Sequence, residues 1–389
     1  MTAELARAIA VAPPVERVAV PATTELDHLI ADDGALELPI ARQHALRDRH
    51  VREALRAHLE RCPAYAAFAE RRGLDREGNG ELGAIPLVPS SVFKAGRVLS
   101  VPDAEVAKWC KSSGTQGAHS VVGRDRTTLE RLLGSIRVGV TLIHAWLEDD
   151  LEVIHLGPDR SEAGDTWFLY VMSLIELLYP TRHFVRRGAF DVPGALARVH
   201  ELVARADRHV AVVGPPFRVL ELIEVIERSG ARIVGGRGMT VLTAGGWKRF
   251  SGKRIERDAF AARARAAFGL DDVSQVRDAF NQVELNTVFI ECSAHRKHVP
   301  PWVYPAARDP DRLTVLPPGE VGVMSYLDAS ATSYPSFIVT EDVGEVSEGS
   351  CPCGRAGTTL QVHRRLVTVA QRGCALTLDA GAASRRGAP

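Results

Sequence analysis

Between Ser112 and Gly117 the chain reads Ser-Ser-Gly-Thr-Gln-Gly, three hydroxyl side chains and two glycines in six positions. Glycine lets the backbone approach an anion closely, and successive N–H groups with Ser and Thr hydroxyls beside them can wrap phosphate oxygens. Ser112, Ser113, Gly114, Thr115, Gln116 and Gly117 are therefore a candidate phosphate cradle. The alternative is a polar turn, which uses the same residue types. Ala118 and His119 follow Gly117 where a Walker loop would continue with Lys and then Ser or Thr, so this is not that motif.

Other reactive side chains stand further along. Glu284 lies among Val283, Leu285 and Val288; a carboxylate in apolar company is costly unless paired or bound to metal, and the alternative is a surface Glu on an edge strand. Asp342 follows the apolar run Phe337 to Thr340, which puts it at a strand end, where a carboxylate can accept two hydrogen bonds from a diol or simply form a turn. Cys374 follows Arg372 and Gly373; nearby positive charge favours the nucleophilic thiolate, against the alternative of a structural cysteine in an apolar strand. His295 and His298 have metal-ligand spacing but hold Arg296 and Lys297 between them, and no further ligands are evident, so they read as solvated loop histidines. Cys351 and Cys353 lack a second pair, and a polar knuckle with reduced thiols is expected there.

These residues need a scaffold. Ile40 to Ala69 has helical spacing that Pro63 should interrupt. Asp103 to Trp109 leads into the cradle, and Thr127 to Gly139 reads as an amphipathic helix after it. Strands are expected at Leu151–Leu156, Val210–Gly214 and Met239–Thr243, with helices at Thr166–Leu178, Val199–Ala206 and Phe217–Arg228 between and around them. Such alternation indicates a largely parallel sheet covered on both faces, with ligands at the carboxyl ends of its strands. Gly214 with its prolines, and Gly245-Gly246-Trp247, would lie there.

Composition bounds the rest. With 389 residues, 46% hydrophobic and 25% charged, the chain can bury a large core as a globular protein. Zero formal net charge provides no global field to recruit nucleic acid, and no apolar run is long enough for a membrane span. Six irregularly spaced cysteines suggest reduced thiols and a cytoplasmic setting.

Together the stretches VPSSVFK (88–94), KSSGTQG (111–117), RDRTTLERLLGS (124–135), LGPDR (156–160), FLYVMSLIELLYPT (168–181), TAGGWK (243–248), VRDAFNQVELNTVF (276–289), KHVPPWVY (297–304), MSYLDASATSYPSFIVTEDVG (324–344) and QRGCALTL (371–378) resemble the adenylate-forming enzymes. The resemblance is to the acyl-protein synthetases of bacterial luminescence fatty-acid reductase systems, with phenylacetate-CoA ligases next. It implies an α/β fold: a large adenylate-forming domain with largely parallel sheets flanked by helices, and a truncated C-terminal subdomain. The divisions expected are a loose leader at 1–24, the large domain at 25–344 and a C-terminal arm at 345–389.

The resemblance also assigns roles. Ser112 to Gly117 would hold the β- and γ-phosphates of ATP, Phe280 would pack on adenine, and Asp342 would take the ribose hydroxyls. Glu284 would bind Mg²⁺, Arg365 would mark the hinge, and Gly245, Gly246 and Trp247 would line the adenine and acyl pockets. Cys374 would accept the acyl group as a thioester, for delivery to a partner acyl-CoA reductase. No lysine follows Lys297, so transfer to free CoA is the lesser expectation. A ligase loading a carboxylic acid onto a carrier protein or amine is the alternative.

Overall fold

The computed structural model describes residues 23–74, 80–113, 119–143, 145–148, 150–246 and 255–365, with the backbone alone at 145, 148, 364 and 365. Thr24 and Asp27 cap each other's backbone at the start of α1 (Glu25–Ile30). Pro63 divides the next segment as its missing N–H requires: α2 (Ile40–Arg61) ends before Cys62, and α3 (Pro63–Arg71) begins on the proline. The lead-in to the cradle becomes β1 (Lys108–Lys111), paired antiparallel with β2 (Val121–Arg124). Asp125 then accepts from the Thr128 N–H at 2.8 Å and starts α4 (Arg126–Val140).

The first sheet contains β3 (Leu151–His155), β4 (Thr181–His183), β5 (His209–Gly214), β6 (Met239–Ala244), β7 (Val276–Phe280) and β8 (Phe289–Ile290). Their order is β8-β7-β6-β5-β3-β4, parallel except where β8 returns against β7. Successive side chains face opposite ways. Ile154, Val212 and Val241 enter one core with α6 (Val192–Arg205), α7 (Pro216–Ser229) and α8 (Arg257–Phe268). Val153, Ala211, Val213 and Leu242 enter a second core with α4 and α5 (Trp167–Ser173). Burial on both faces explains why these strands are apolar runs rather than alternating ones. Helix α6 begins seven residues before the expected Val199. Pro193 and Gly194 look like breakers, but proline suits a first helical turn, and Asp191 caps it by accepting from Gly194 N–H at 2.9 Å.

The second sheet was scarcely foreseen. It comprises β9 (Lys297–His298), β10 (Val303–Arg308), β11 (Val321–Asp328), β12 (Phe337–Ser350) and β13 (Ala356–Arg365), in the order β9-β13-β12-β11-β10. These pairs are all antiparallel, and Val88–Pro89 adds to β12 in parallel. Tyr326, Phe337, Ile338 and Leu360 pack into the second core, so the two sheets share it. The division expected after residue 344 falls inside β12. Among the described residues no helix is long and apolar enough to cross a membrane.

Two histidines are sealed inside this framework. His58 on α2 meets the Ser100 hydroxyl at 2.8 Å, and His155 at the end of β3 meets His183 at 3.0 Å. Burial holds His58 down at about 4 and His155 at about 3, the latter helped by His183. Above pH 6.5 both rings are neutral in the folded and unfolded chains. Below it the unfolded chain takes up protons that the folded chain refuses, so stability falls as pH drops toward those values. Each ring should contribute a slope of about 1.4 kcal/mol per pH unit. Urea unfolding between pH 7 and 4.5 should therefore show a shallower loss for His155→Gln than for wild type. Parallel losses would mean that His155 charges in the folded protein.

Candidate functional site

The neck of the hydroxyl–glycine loop is closed by its own ends. Ser112 N–H donates to Ser120 O at 2.9 Å, and Ser120 N–H donates to the Ser112 hydroxyl at 3.0 Å. His119 Nδ1 lies 2.7 Å from Ser112 O. Lys111 N–H donates to Asp165 O at 2.7 Å, which fixes the neck to the segment entering α5. Ser113 is half-buried; Gly114, Thr115, Gln116 and Gly117 lie outside the described residues.

Arg124 ends β2 and is fully buried. Its Nη2 donates to Val283 O at 2.6 Å and to the Tyr334 hydroxyl at 3.0 Å, while Nε donates to Asn286 Oδ1 at 3.2 Å. The guanidinium also lies 3.5 Å from the centre of the Trp167 ring. Trp167 Nε1 donates to Asn281 Oδ1 at 2.5 Å, and Asn281 Nδ2 donates to Thr287 O at 2.8 Å. Asp328 accepts from the N–H groups of Asn286 and Thr287 at 3.1 and 2.7 Å. The connection from β7 to β8 is thus held on three sides. Glu284 is in this connection, 5% exposed, with its carbonyl accepting from the Ser336 hydroxyl at 2.9 Å. It is not a surface residue on an edge strand.

Gly245 and Gly246 follow β6 with φ of +80° and +61°. A Cβ on Gly245 would come within 2.1 Å of the Phe168 ring, so both the backbone conformation and the space require glycine. Ala244 pairs with Ala279 across the parallel β6–β7 ladder, which puts Gly245 alongside Phe280 at the strands' carboxyl ends. Phe280 is half-buried, with its ring centre 6.2 Å from that of Tyr326. Trp247 lies outside the described residues.

Asp342 differs from expectation. It is not at a strand end but within the 14-residue β12, where it pairs with Arg365 of β13 while the β11 ladder passes from Val339 to Val343 without it. Asp342 also suits a turn, yet its pairing with β13 overrides that weak local preference. A register shift between Val343 and Gly344 interrupts the ladder beside it. Asp342 is buried and close enough to Tyr326 that its charge adds to burial in pushing the tyrosine hydroxyl pKa well up. Asp342 is also the register partner of Arg365, whose side chain is outside the described residues, as is Cys374.

Two further features were read differently from sequence. His298 is 3% exposed in β9, not a solvated loop residue, because β9 pairs with β13 and is covered. Cys351 and Cys353 do not stand alone: Cys292 and His298 join them. Arg124 was missed as a site residue, although it opens one of the stretches that carry the resemblance.

The comparisons agree with this architecture. The chain matches the family described as acyl-protein synthetase, LuxE, over residues 11–382. It is 40% identical over 365 residues to a long-chain-fatty-acid–luciferin-component ligase of Vibrio harveyi, covering 94% of this chain and 96% of the relative. The ligase of the same name from Aliivibrio fischeri is also 40% identical, over 357 residues, covering 92% of this chain and 94% of the relative. Among solved structures, a 2-hydroxyisobutyryl-CoA ligase in an open conformation, complexed with 2-HIB-AMP and CoA, superposes with a TM-score of 0.64 at 16% identity. That superposition covers 86% of this chain and 77% of the other, and it shows a shared fold. With its family match and its relatives covering nearly the whole length, the chain belongs to the LuxE family of acyl-protein synthetases.

Proposed function

We propose that the protein uses ATP to activate a carboxylic acid, a fatty acid by the names of its relatives, and then carries the acyl group on Cys374. The observation that carries this reading is the grouping at the strand ends. Phe280 sits beside the Gly245 turn and near Tyr326 and Asp342, while Arg124 links the Glu284 connection to the hairpin bearing the cradle.

The residues fit ATP and a magnesium ion. Phe280 offers a half-buried face for a flat base, and the Gly245 turn keeps the backbone close beside it. The Asp342 carboxylate suits two ribose hydroxyls, and the loop closed at Ser112 and Ser120 suits the terminal phosphates. Glu284 is a hard oxygen donor of the kind Mg²⁺ takes, and the ion would offset charge on the departing pyrophosphate.

In the first step a carboxylate oxygen of the acid forms a bond to the α-phosphorus, and the bond to the bridging oxygen breaks with its electron pair leaving on pyrophosphate. The mixed anhydride is a better electrophile than the acid. In the second step the Cys374 thiolate forms a bond to the acyl carbon, and AMP leaves with the electron pair of the broken C–O bond. Arg365, the backbone neighbour of Asp342, is where the arm departs. A reductase that consumes the thioester is the partner this chemistry calls for.

Glu284→Gln keeps the shape of a buried side chain and removes the anionic ligand. ATP–pyrophosphate exchange with a long-chain acid should fall by about 100-fold or more, equivalent to about 3 kcal/mol of barrier, while the urea midpoint stays near wild type. Near-normal exchange would remove Glu284 from the metal site.

Cys374→Ser should still release pyrophosphate but should not become labelled through a thioester. Incubation of both proteins with ATP and a labelled fatty acid, followed by neutral hydroxylamine, separates the outcomes. Hydroxylamine-labile label on wild type alone supports the arm. Equal labelling of both, or pyrophosphate release with label on neither, would point to direct loading of a carrier protein or amine.

A further inference from the structure

Away from the nucleotide-side residues, two tight turns face each other. The first joins β8 to β9. His295 N–H donates to Cys292 O at 2.9 Å, Cys292 N–H donates to Arg296 O at 2.8 Å, and His295 adopts a φ of +56°. The second joins β12 to β13. Gly354 N–H donates to Cys351 O at 2.9 Å, Cys351 N–H donates to Arg355 O at 2.8 Å, and Gly354 has a φ of +93°. Between them lie three thiols and one imidazole. Cys292 Sγ is 3.7 Å from Cys351 Sγ, His298 Nε2 is 3.2 Å from Cys353 Sγ, and all four ligand atoms lie within 4.8 Å of one another.

We propose that Cys292, His298, Cys351 and Cys353 form a structural zinc site that staples the two sheets together. A tetrahedron with zinc–sulfur bonds of about 2.3 Å has sulfur–sulfur edges of about 3.8 Å. The 3.7 Å separation of Cys292 and Cys351 matches that edge, whereas a disulfide would need about 2.05 Å. Three thiolates with one imidazole is a ligand set that selects zinc, and four protein ligands leave no open position for catalysis.

Burial opposes thiolates at Cys292 and Cys351, while the backbone N–H groups of Ala294 and Arg296 at Cys292, of Cys353 at Cys351 and of Arg355 at Cys353 favour them. Arg277 is 8% exposed, and its Nε and Nη1 have no hydrogen-bond partner among the described residues. Its charge interacts with Cys292 and Cys353. Zinc with three thiolates carries one net negative charge, which accounts for an otherwise costly buried guanidinium. A surface cavity lined by Arg277, Ser293, Cys353 and Arg355 gives the ion a way in.

The placement gives the site its purpose. Strand β8 belongs to the first sheet and β9 to the second, so Cys292 lies where the chain crosses between them. Cys351 and Cys353 come from the far hairpin of the second sheet.

Wild-type protein purified without chelator should contain about one zinc per chain by plasma mass spectrometry. Its thermal midpoint should drop when a thiol reagent and chelator remove the metal. Cobalt replacement should give thiolate-to-cobalt charge-transfer absorption that weakens in Cys353→Ser. Zinc content should fall in both Cys353→Ser and His298→Gln. If a variant fails to fold, the wild-type metal content still decides the matter. Protein that is metal-free as purified and takes up no added zinc would overturn the site, as would a Cys292–Cys351 disulfide found by peptide mapping, or full zinc content in both variants.

Discussion

The buried guanidinium of Arg124 joins everything at the candidate site. Among the described residues no carboxylate pairs with it; its partners include two carbonyls, an amide oxygen and the tyrosine hydroxyl of Tyr334, with the Trp167 face against it. Removing such a charge from water is expensive, and charge-assisted hydrogen bonds of about 1.5–3 kcal/mol each, with a desolvated cation–π contact of about 2 kcal/mol, are what offset it. With no ion pair to it among the described residues, the group depends on these acceptors being in place together. The β1–β2 hairpin, the β7–β8 connection, α5 and Tyr334 are thereby held as one unit.

A second constraint stands where the sheets meet. Lys297 and His298 are consecutive in β9 and point to opposite faces. Lys297 Nζ lies 3.1 Å from Asp278 and 3.0 Å from Glu291, and Glu291 also pairs with Arg257. Burial opposes the charge on Glu291, but Lys297, His295 and Arg257 outweigh it and hold its carboxyl far below the ordinary range. Asp278 N–H donates to Glu291 at 2.9 Å, so the ion cluster grips β7 two residues before Phe280. One face of β9 thus supports β7, while the other supplies His298 to the thiols.

The parallel sheet was legible because burial on both faces writes continuous apolar strands between amphipathic helices, as in Val210–Val213 and Met239–Leu242. The antiparallel sheet was not. Its strand β12 carries Glu341, Glu345 and Glu348 at partly or fully solvated positions and the buried Asp342 among them, and pairing with the neighbouring strands makes this charged stretch strand. Residue type alone left the cradle, Glu284 and Asp342 each with an alternative, and only the resemblance assigned roles to them and singled out Phe280. The thiol cluster escaped for a geometric reason. Its ligands come from two turns about 50 residues apart, and the cations between His295 and His298 argued against metal until alternation turned Lys297 away. A C-x₅-H pair followed by C-x-C was the available signal.

The register of β12 and β13 also bears on how a thiol could reach the activated acid. Asp342 pairs with Arg365, the last described residue of β13. Nine residues lead from Arg365 to Cys374, and nine residues span at most about 30 Å when extended. Under the proposed relay, the Cys374 thiol would have to act within that reach of Asp342.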